Sequence, residues 1–202
     1  MAGQASVPSV TEPNPLLNEP AGRADTPGDE DESELCRRAS AGDRRAFAEL
    51  YERHLDHVYR YAYYRVRDPD SADDVTSEVF HRALVAMPRY EPRRPFLAFL
   101  YTIARNVIVD AGRKQRPTAS FEDAIAHPSI EPGPEERSTA LDEARRLRAA
   151  IQTLDPVQQD VIVLRFIAGR SHKEVSAIVG KNESTVRGIQ MRALAELRKR
   201  LS

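Results

Sequence analysis

Residues 171–200 read SHKEVSAIVGKNESTVRGIQMRALAELRKR. Ser171 followed three residues later by Glu174 is a capping box, and it opens a short helix carrying Val175, Ile178 and Val179. Gly180 closes that helix, and Asn182 can cap a longer one running through Val186, Ala193, Leu194 and Leu197 to Arg198-Lys199-Arg200. Just upstream, Asp155-Pro156 is a cap with proline at the first helical position, and Val157, Val161, Ile162, Leu164 and Phe166 follow before Gly169. A short helix, a glycine turn and a longer basic helix outline a helix-turn-helix, whose second helix enters a DNA major groove. Its outward groups would include Glu183, Ser184, Arg187, Met191 and Arg192. An ordinary helical hairpin with a solvated basic face has the same spacing, so the residues alone leave both readings open.

Working outward, residues 117–140 hold Pro117, Pro128, Pro132 and Pro134 without clear periodicity, which reads as an acidic, flexible linker. Residues 35–116 are again helical in pattern. One stripe holds Phe47, Leu50, Tyr51, Leu55, Val58, Tyr59, Ala62 and Val66, a second Ala72, Val75, Val79, Phe80, Ala83, Leu84 and Met87. Asp68-Pro69-Asp70-Ser71 punctuates them. A third stripe after Pro95 holds Phe96, Phe99, Leu100, Ile103, Ala104, Val107, Ile108 and Ala111. Residues 1–34, with five prolines and the run Asp29-Glu30-Asp31-Glu32, cannot bury enough apolar surface to offset ordering and read as a disordered tail. The fold class is therefore all-α: two small helical domains, 35–116 and 141–202, joined by a flexible linker.

The chain has 202 residues and a formal net charge of -1. That near-neutrality hides an alternation: the tail carries net -7, residues 35–117 net +5, residues 118–150 net -3 and residues 151–202 net +4. Basic modules between acidic connectors suit a polyanion partner, although solvated surface charge gives the same balance. The single cysteine, Cys36, excludes an internal disulfide and a zinc site of several thiolates. No apolar run approaches a membrane span and the first thirty residues lack a signal-type stretch, so the chain is expected in the cytoplasm.

Three groups in the first module could carry chemistry. Asp73, Asp74, Ser77 and Glu78 share one side of a helix, and paired carboxylates serve as acid–base groups, as metal ligands or as a protein-docking face. Tyr90 among Arg89, Arg93 and Arg94 can stack an unpaired base and hold its backbone, or simply cover the end of a bundle. Arg105, Asn106, Asp110, Arg113 and Lys114 lie off the apolar stripe; asparagine suits a base edge and the cations suit phosphate. His54 and His57 lie three apart, with His81 in the next helix; a metal site is conceivable, yet two histidines on a helix are more commonly surface or satisfied core groups.

These residues together resemble a known family. Asp70-Ser71-Ala72-Asp73-Asp74-Val75-Thr76-Ser77-Glu78-Val79-Phe80, then Pro95-Phe96-Leu97-Ala98-Phe99-Leu100-Tyr101-Thr102-Ile103-Ala104-Arg105-Asn106, resembles region two of bacterial sigma factors of the extracytoplasmic-function type, in the sigma-70 family. The stretch from Leu154 to Leu197 resembles their region four. The resemblance implies a dissociable promoter-recognition subunit of RNA polymerase, not an enzyme, needing no cofactor or metal. It implies polymerase docking through Asp73, Asp74, Ser77 and Glu78. It implies reading and melting of the minus-ten element by Tyr90, Arg93, Arg94, Arg105, Asn106, Arg113 and Lys114, and reading of the minus-thirty-five element by Asn182, Glu183, Ser184, Arg187, Met191 and Arg192. The partners implied are core RNA polymerase and promoter DNA, with an anti-sigma factor left open and a monomer expected when free. Where relatives often carry tryptophan this chain has Phe99, and Gly188-Ile189 replaces a polar or basic pair. A stand-alone helix-turn-helix regulator is the alternative.

Overall fold

The structure is a computed structural model and describes residues 28–92, 94–114 and 134–201, without the side chains of 28–31, 113, 114 and 134–141. Among the described residues eight helices make up the regular framework: α1 (Gly28–Ser40), α2 (Arg44–Arg65), α3 (Pro69–Ala86), α4 (Phe96–Lys114), α5 (Pro134–Gln152), α6 (Pro156–Ile162), α7 (His172–Val179) and α8 (Glu183–Leu201). A single 3-10 turn, Met87–Arg89, follows α3, and a π-helical turn, Val163–Ile167, continues α6.

Local chemistry sets most boundaries. Asp43 accepts from the Arg45 and Ala46 amides at the start of α2, and Asp68 accepts from Ser71 N–H at the start of α3 with Pro69 behind it. Asp155 and Ser171 form full capping boxes with Gln158 and Glu174. Gly180 ends α7 in the left-handed region at φ 68°, which a side chain would strain.

The first module packs α2, α3 and α4 around Leu50, Val58, Ala72, Val79, Leu100 and Ala104, with α1 laid across through Leu35, Cys36 and Ala39. Two expected bounds move. Helix α1 begins at Gly28, inside the stretch read as a disordered tail, because its inner face is buried against α2 and Glu32 reaches the His54 imidazole at 3.1 Å. Glu32, which looks solvated in isolation, is recruited by tertiary packing. Helix α5 likewise begins at Pro134, inside the stretch read as linker, with proline in its first turn. Residues 1–27 and 117–133 of those stretches lie outside the described residues. Leu84, expected to face inward, is exposed, as is Phe166.

The two modules meet on a buried carboxylate. Asp160 in α6 is 1% exposed and accepts from Tyr61 Oη at 2.8 Å, Arg65 Nε at 2.8 Å and Arg105 Nε at 2.9 Å. Gln159 accepts from Arg65 and donates to the Leu154 carbonyl at 2.9 Å. Burial first, and the Asp160 charge next, raise the Tyr61 pKa well above the ordinary phenol value, which keeps its hydroxyl a donor. Alongside, α5 closes the C-terminal end of α2. Arg148 donates to the Val66 carbonyl at 2.8 and 3.2 Å and lies 4.2 Å from the Tyr63 ring centroid, and Gln152 joins it on the same oxygen. A cation at the carbonyl end of a helix is the favoured polarity.

Removing one partner of a buried ion pair strands the other without solvent. Asp160→Ala is expected to cost about 3 kcal/mol in urea unfolding, and to increase the radius of gyration by small-angle scattering while far-ultraviolet dichroism keeps its helical signal.

Candidate nucleic-acid interface

On α3, Asp73, Asp74 and Ser77 are exposed, projecting from the helix that Asp68 and Pro69 start. Glu78 is half-buried, holding Arg82 at 2.6 Å, and Arg82 reaches Asp110 of α4 at 3.4 Å. Further along the same helix, Leu84 and Val85 stand open to solvent, Val85 at 69%. Helical periodicity places Leu84 in the core, because it does not distinguish an apolar residue facing outward from one facing the interior.

The 3-10 turn and the following loop deliver Tyr90 to the start of α4. Its hydroxyl donates to the Arg94 carbonyl at 3.0 Å, and its ring stacks edge-on against Phe96 at 5.5 Å and tilted against Phe99 at 5.0 Å. The tyrosine is half-buried, so one part of the ring packs and another faces out. Phe99 fills the place expected of a tryptophan as part of this aromatic stack. Helix α1 braces the stack from behind: the Glu32 carboxylate pairs with His54 at 3.1 Å, and the His54 ring lies 5.6 Å from that of Phe96. Cys36, beside Tyr90, is buried and its thiol is pushed up to about 12, mainly by burial, which makes it a poor nucleophile. Glu32 escaped the sequence reading because its partners lie more than twenty residues away.

On α4, Asn106 is exposed. Arg105 is only 26% exposed and its Nε is committed to Asp160 of the other module. Arg93 lies outside the described residues, as do the side chains of Arg113 and Lys114. Arg94 is exposed next to Tyr90.

On the second module, Asn182 accepts from Thr185 N–H and from the Ser184 hydroxyl, both at 2.8 Å, and so caps α8. Asn182, Ser184, Arg187, Met191 and Arg192 are exposed, Met191 at 72%, and Glu183 pairs with Arg187 at 3.5 Å. Val186, Ile189, Ala193 and Leu197 face inward. Gln190, which the sequence reading passed over, ties α8 to its neighbours by receiving Arg165 Nε at 3.3 Å and approaching His172 Nε2 at 2.9 Å. The two modules thus present an exposed acidic helix, an aromatic loop beside an exposed asparagine, and a rigidly held helix with two cations and a methionine outward. Among the described residues no group of three or more His, Cys, Asp or Glu is arranged to hold a metal. No described helix is long and apolar enough to cross a membrane.

Comparison with known proteins agrees with this layout. The family pattern described as Sigma-70 region 2 matches residues 50–118, and that described as Sigma-70, region 4 matches residues 150–199. The chain is 38% identical over 170 residues to the ECF RNA polymerase sigma factor BldN of Streptomyces coelicolor, covering 81% of this chain and 63% of that protein. It is 38% identical over 167 residues to the ECF RNA polymerase sigma factor SigD of Mycobacterium tuberculosis, covering 79% of each. Among solved structures it is similar to CnrH in complex with the cytosolic domain of CnrY, at 29% identity and a TM-score of 0.65, over 84% of this chain and 96% of that one. The sigma factor RpoE from Bartonella quintana, in complex with the anti-sigma factor NepR, shares the fold at 21% identity and a TM-score of 0.64, over 77% of this chain and 96% of that one.

The bracing of the loop by Glu32 has a pH signature. The His54 hydrogen bond chiefly holds this carboxyl below its ordinary 4.5 against the opposing effect of burial. The stability it contributes is therefore present in full above pH 4.5 and lost as pH falls through the lowered value. Glu32→Gln is expected to flatten the acid side of the stability profile in that window, measured by thermal unfolding at stepped pH.

Proposed function

The chain belongs to the extracytoplasmic-function RNA polymerase sigma factors of the sigma-70 family, and from that premise we propose how its residues divide the work of promoter recognition. It is an RNA polymerase sigma factor, not a stand-alone helix-turn-helix regulator: region 2 and region 4 are both matched, in order, on one chain. The observation that carries the residue assignment is the juxtaposition, on one small bundle, of an exposed acidic helix with a braced aromatic loop and an exposed asparagine.

Asp73, Asp74, Ser77 and Glu78 dock the protein on core polymerase, with Leu84 and Val85 adding apolar area at the end of the same helix. Exposed carboxylates steer and orient a basic partner surface, and the apolar pair supplies burial. Tyr90 receives a base that has left the stack. Its ring is held in place by Phe96 and Phe99 before the base arrives, and stacking of about 1–3 kcal/mol per base offsets part of the unstacking cost. Asn106 reads the edge of such a base, while Arg94 and the three cations Arg93, Arg113 and Lys114 hold its backbone. In the second module Arg187 and Arg192 bind the minus-thirty-five duplex with Met191, and Asn182, Glu183 and Ser184 stand at the entry of the recognition helix. The mechanism is binding energy without bond chemistry, and the protein works where polymerase and DNA are, in the cytoplasm.

Arg105 carries a further condition. Its guanidinium answers the Asp160 carboxylate across the module boundary, so it serves a DNA phosphate only after the two modules part. CnrH and RpoE were each solved with a protein bound, and a protein partner of this kind that holds the modules together would keep Arg105 occupied.

Transcription by core polymerase of the source bacterium on its genomic DNA, with and without this protein, tests the reading. New start sites sharing two upstream sequence blocks are expected, and Asp74→Arg is expected to abolish them while leaving the helical content unchanged. Tyr90→Ala and Asn106→Ala are expected to slow promoter opening, read by permanganate reactivity of unpaired thymines, by tenfold or so with little effect on initial duplex binding. Equal loss of both steps would overturn the division of labour.

A further inference from the structure

Gly188 is the sixth residue of the nineteen-residue helix α8. Glycine is the costliest residue short of proline in a helix interior, so a folded protein keeps one there for a reason. Two reasons lie within the chain itself. One is a left-handed backbone, which Gly42, Gly169 and Gly180 adopt at φ 93°, 66° and 68°; Gly188 has ordinary helical geometry. The other is a neighbour standing where a Cβ would be, and a Cβ built on Gly188 meets nothing within 4 Å. Alanine would fit, and by propensity it would stabilise the helix. Neither the backbone nor the packing of this protein asks for glycine.

What surrounds the gap is the outward face of α8. Ser184 lies one turn before it and Met191 and Arg192 one turn after, with Arg187 adjacent, and all four side chains are exposed. Behind it, Val186 and Ile189 are buried and Gln190 is tied to His172 and Arg165, so the helix is fixed in rotation and the gap always faces outward. The face therefore lacks a side chain at this point: the space over Gly188 is open, with Met191 and Arg192 one turn on and Arg187 adjacent.

We infer that Gly188 is a specificity-determining position for the minus-thirty-five element: the missing side chain admits the 5-methyl group of a thymine and lets α8 sit one methyl deeper in the groove. The inference rests on the reading of α8 as the groove-entering helix. A thymine methyl is the one apolar projection on the major-groove edges of the bases. It matches the size of the missing side chain, and Met191, exposed one turn on, is the apolar residue of that face. A Cβ at 188 would collide with that methyl and lift the neighbouring arginines away from their phosphates.

The test uses holoenzyme, assembled from core polymerase and the full chain, binding a duplex that carries the mapped minus-thirty-five block. Gly188→Ala is expected to raise the melting temperature of the free protein by a few degrees and to weaken holoenzyme binding about tenfold. Replacing the thymines of the block one at a time by deoxyuridine, which lacks the methyl, is expected to restore binding of the Gly188→Ala variant at one position. At that same position the substitution should weaken the wild type. Unchanged or tighter binding by Gly188→Ala overturns the proposal, as does a lowered melting temperature, which would make the glycine a requirement of the fold. A loss that no deoxyuridine relieves also overturns it, pointing instead to close approach of the sugar-phosphate backbone. Arg187→Ala separates the two levels: if it weakens binding while Gly188→Ala does not, α8 still reads the duplex and only the gap is dismissed. If neither variant matters, the reading of α8 itself falls.

Discussion

A carboxylate taken out of water must be surrounded by donors or it does not stay ionised inside a fold, and Asp160 satisfies that demand with groups it does not own. Tyr61 and Arg65 come from α2 and Arg105 from α4, so one charge fixes the rotation and depth at which the second module seats on the first. Apolar contacts would tolerate some sliding; three directed hydrogen bonds on two oxygens do not. The pairing at the end of α2, where Arg148 and Gln152 converge on one carbonyl, adds a second directed contact along the same seam. The arrangement of helices around the seam follows from these two anchors more than from any matching of hydrophobic stripes.

The same economy governs the aromatic loop. Tyr90 is useful for catching a base only if its ring is held before the base arrives, since ordering it at that moment would consume the stacking energy. Phe96 and Phe99 pack against it, and the Glu32 carboxylate holds the His54 ring that lies against Phe96. An acidic residue from the first helix is thus part of the support of a loop more than fifty residues further along. The histidine that looked like half of a metal site, His54, is the residue through which α1 is attached to α2.

What was legible in the sequence was whatever the chain does locally. The caps at Asp68, Asp155, Ser171 and Asn182 and the left-handed Gly180 are decided within four residues of themselves, and each boundary they imply stands in the structure. The exposed polar residues of α3 and α8 were legible because helical periodicity sets faces, whereas the exposed Leu84 was not. Asp160 was not, since a lone acid in the run from Val157 to Leu164 looks like the solvated position of an amphipathic helix; its partners are 99, 95 and 55 residues away. Glu32 and the early start of α1 were hidden for the same reason, and so was the commitment of Arg105 to a carboxylate instead of to solvent.

Helix α1 enters the fold beside the start of α4, because Glu32, one turn past Gly28, pairs with His54, whose ring lies against that of Phe96. A group attached at the start of α1 therefore sits near the aromatic loop that carries Tyr90, and not at a neutral corner of the surface. For anyone building with this protein, that makes the start of α1 a place to mount a reporter dye or a crosslinker aimed at the base that Tyr90 is proposed to receive. It makes the same point a poor place for a bulky affinity handle.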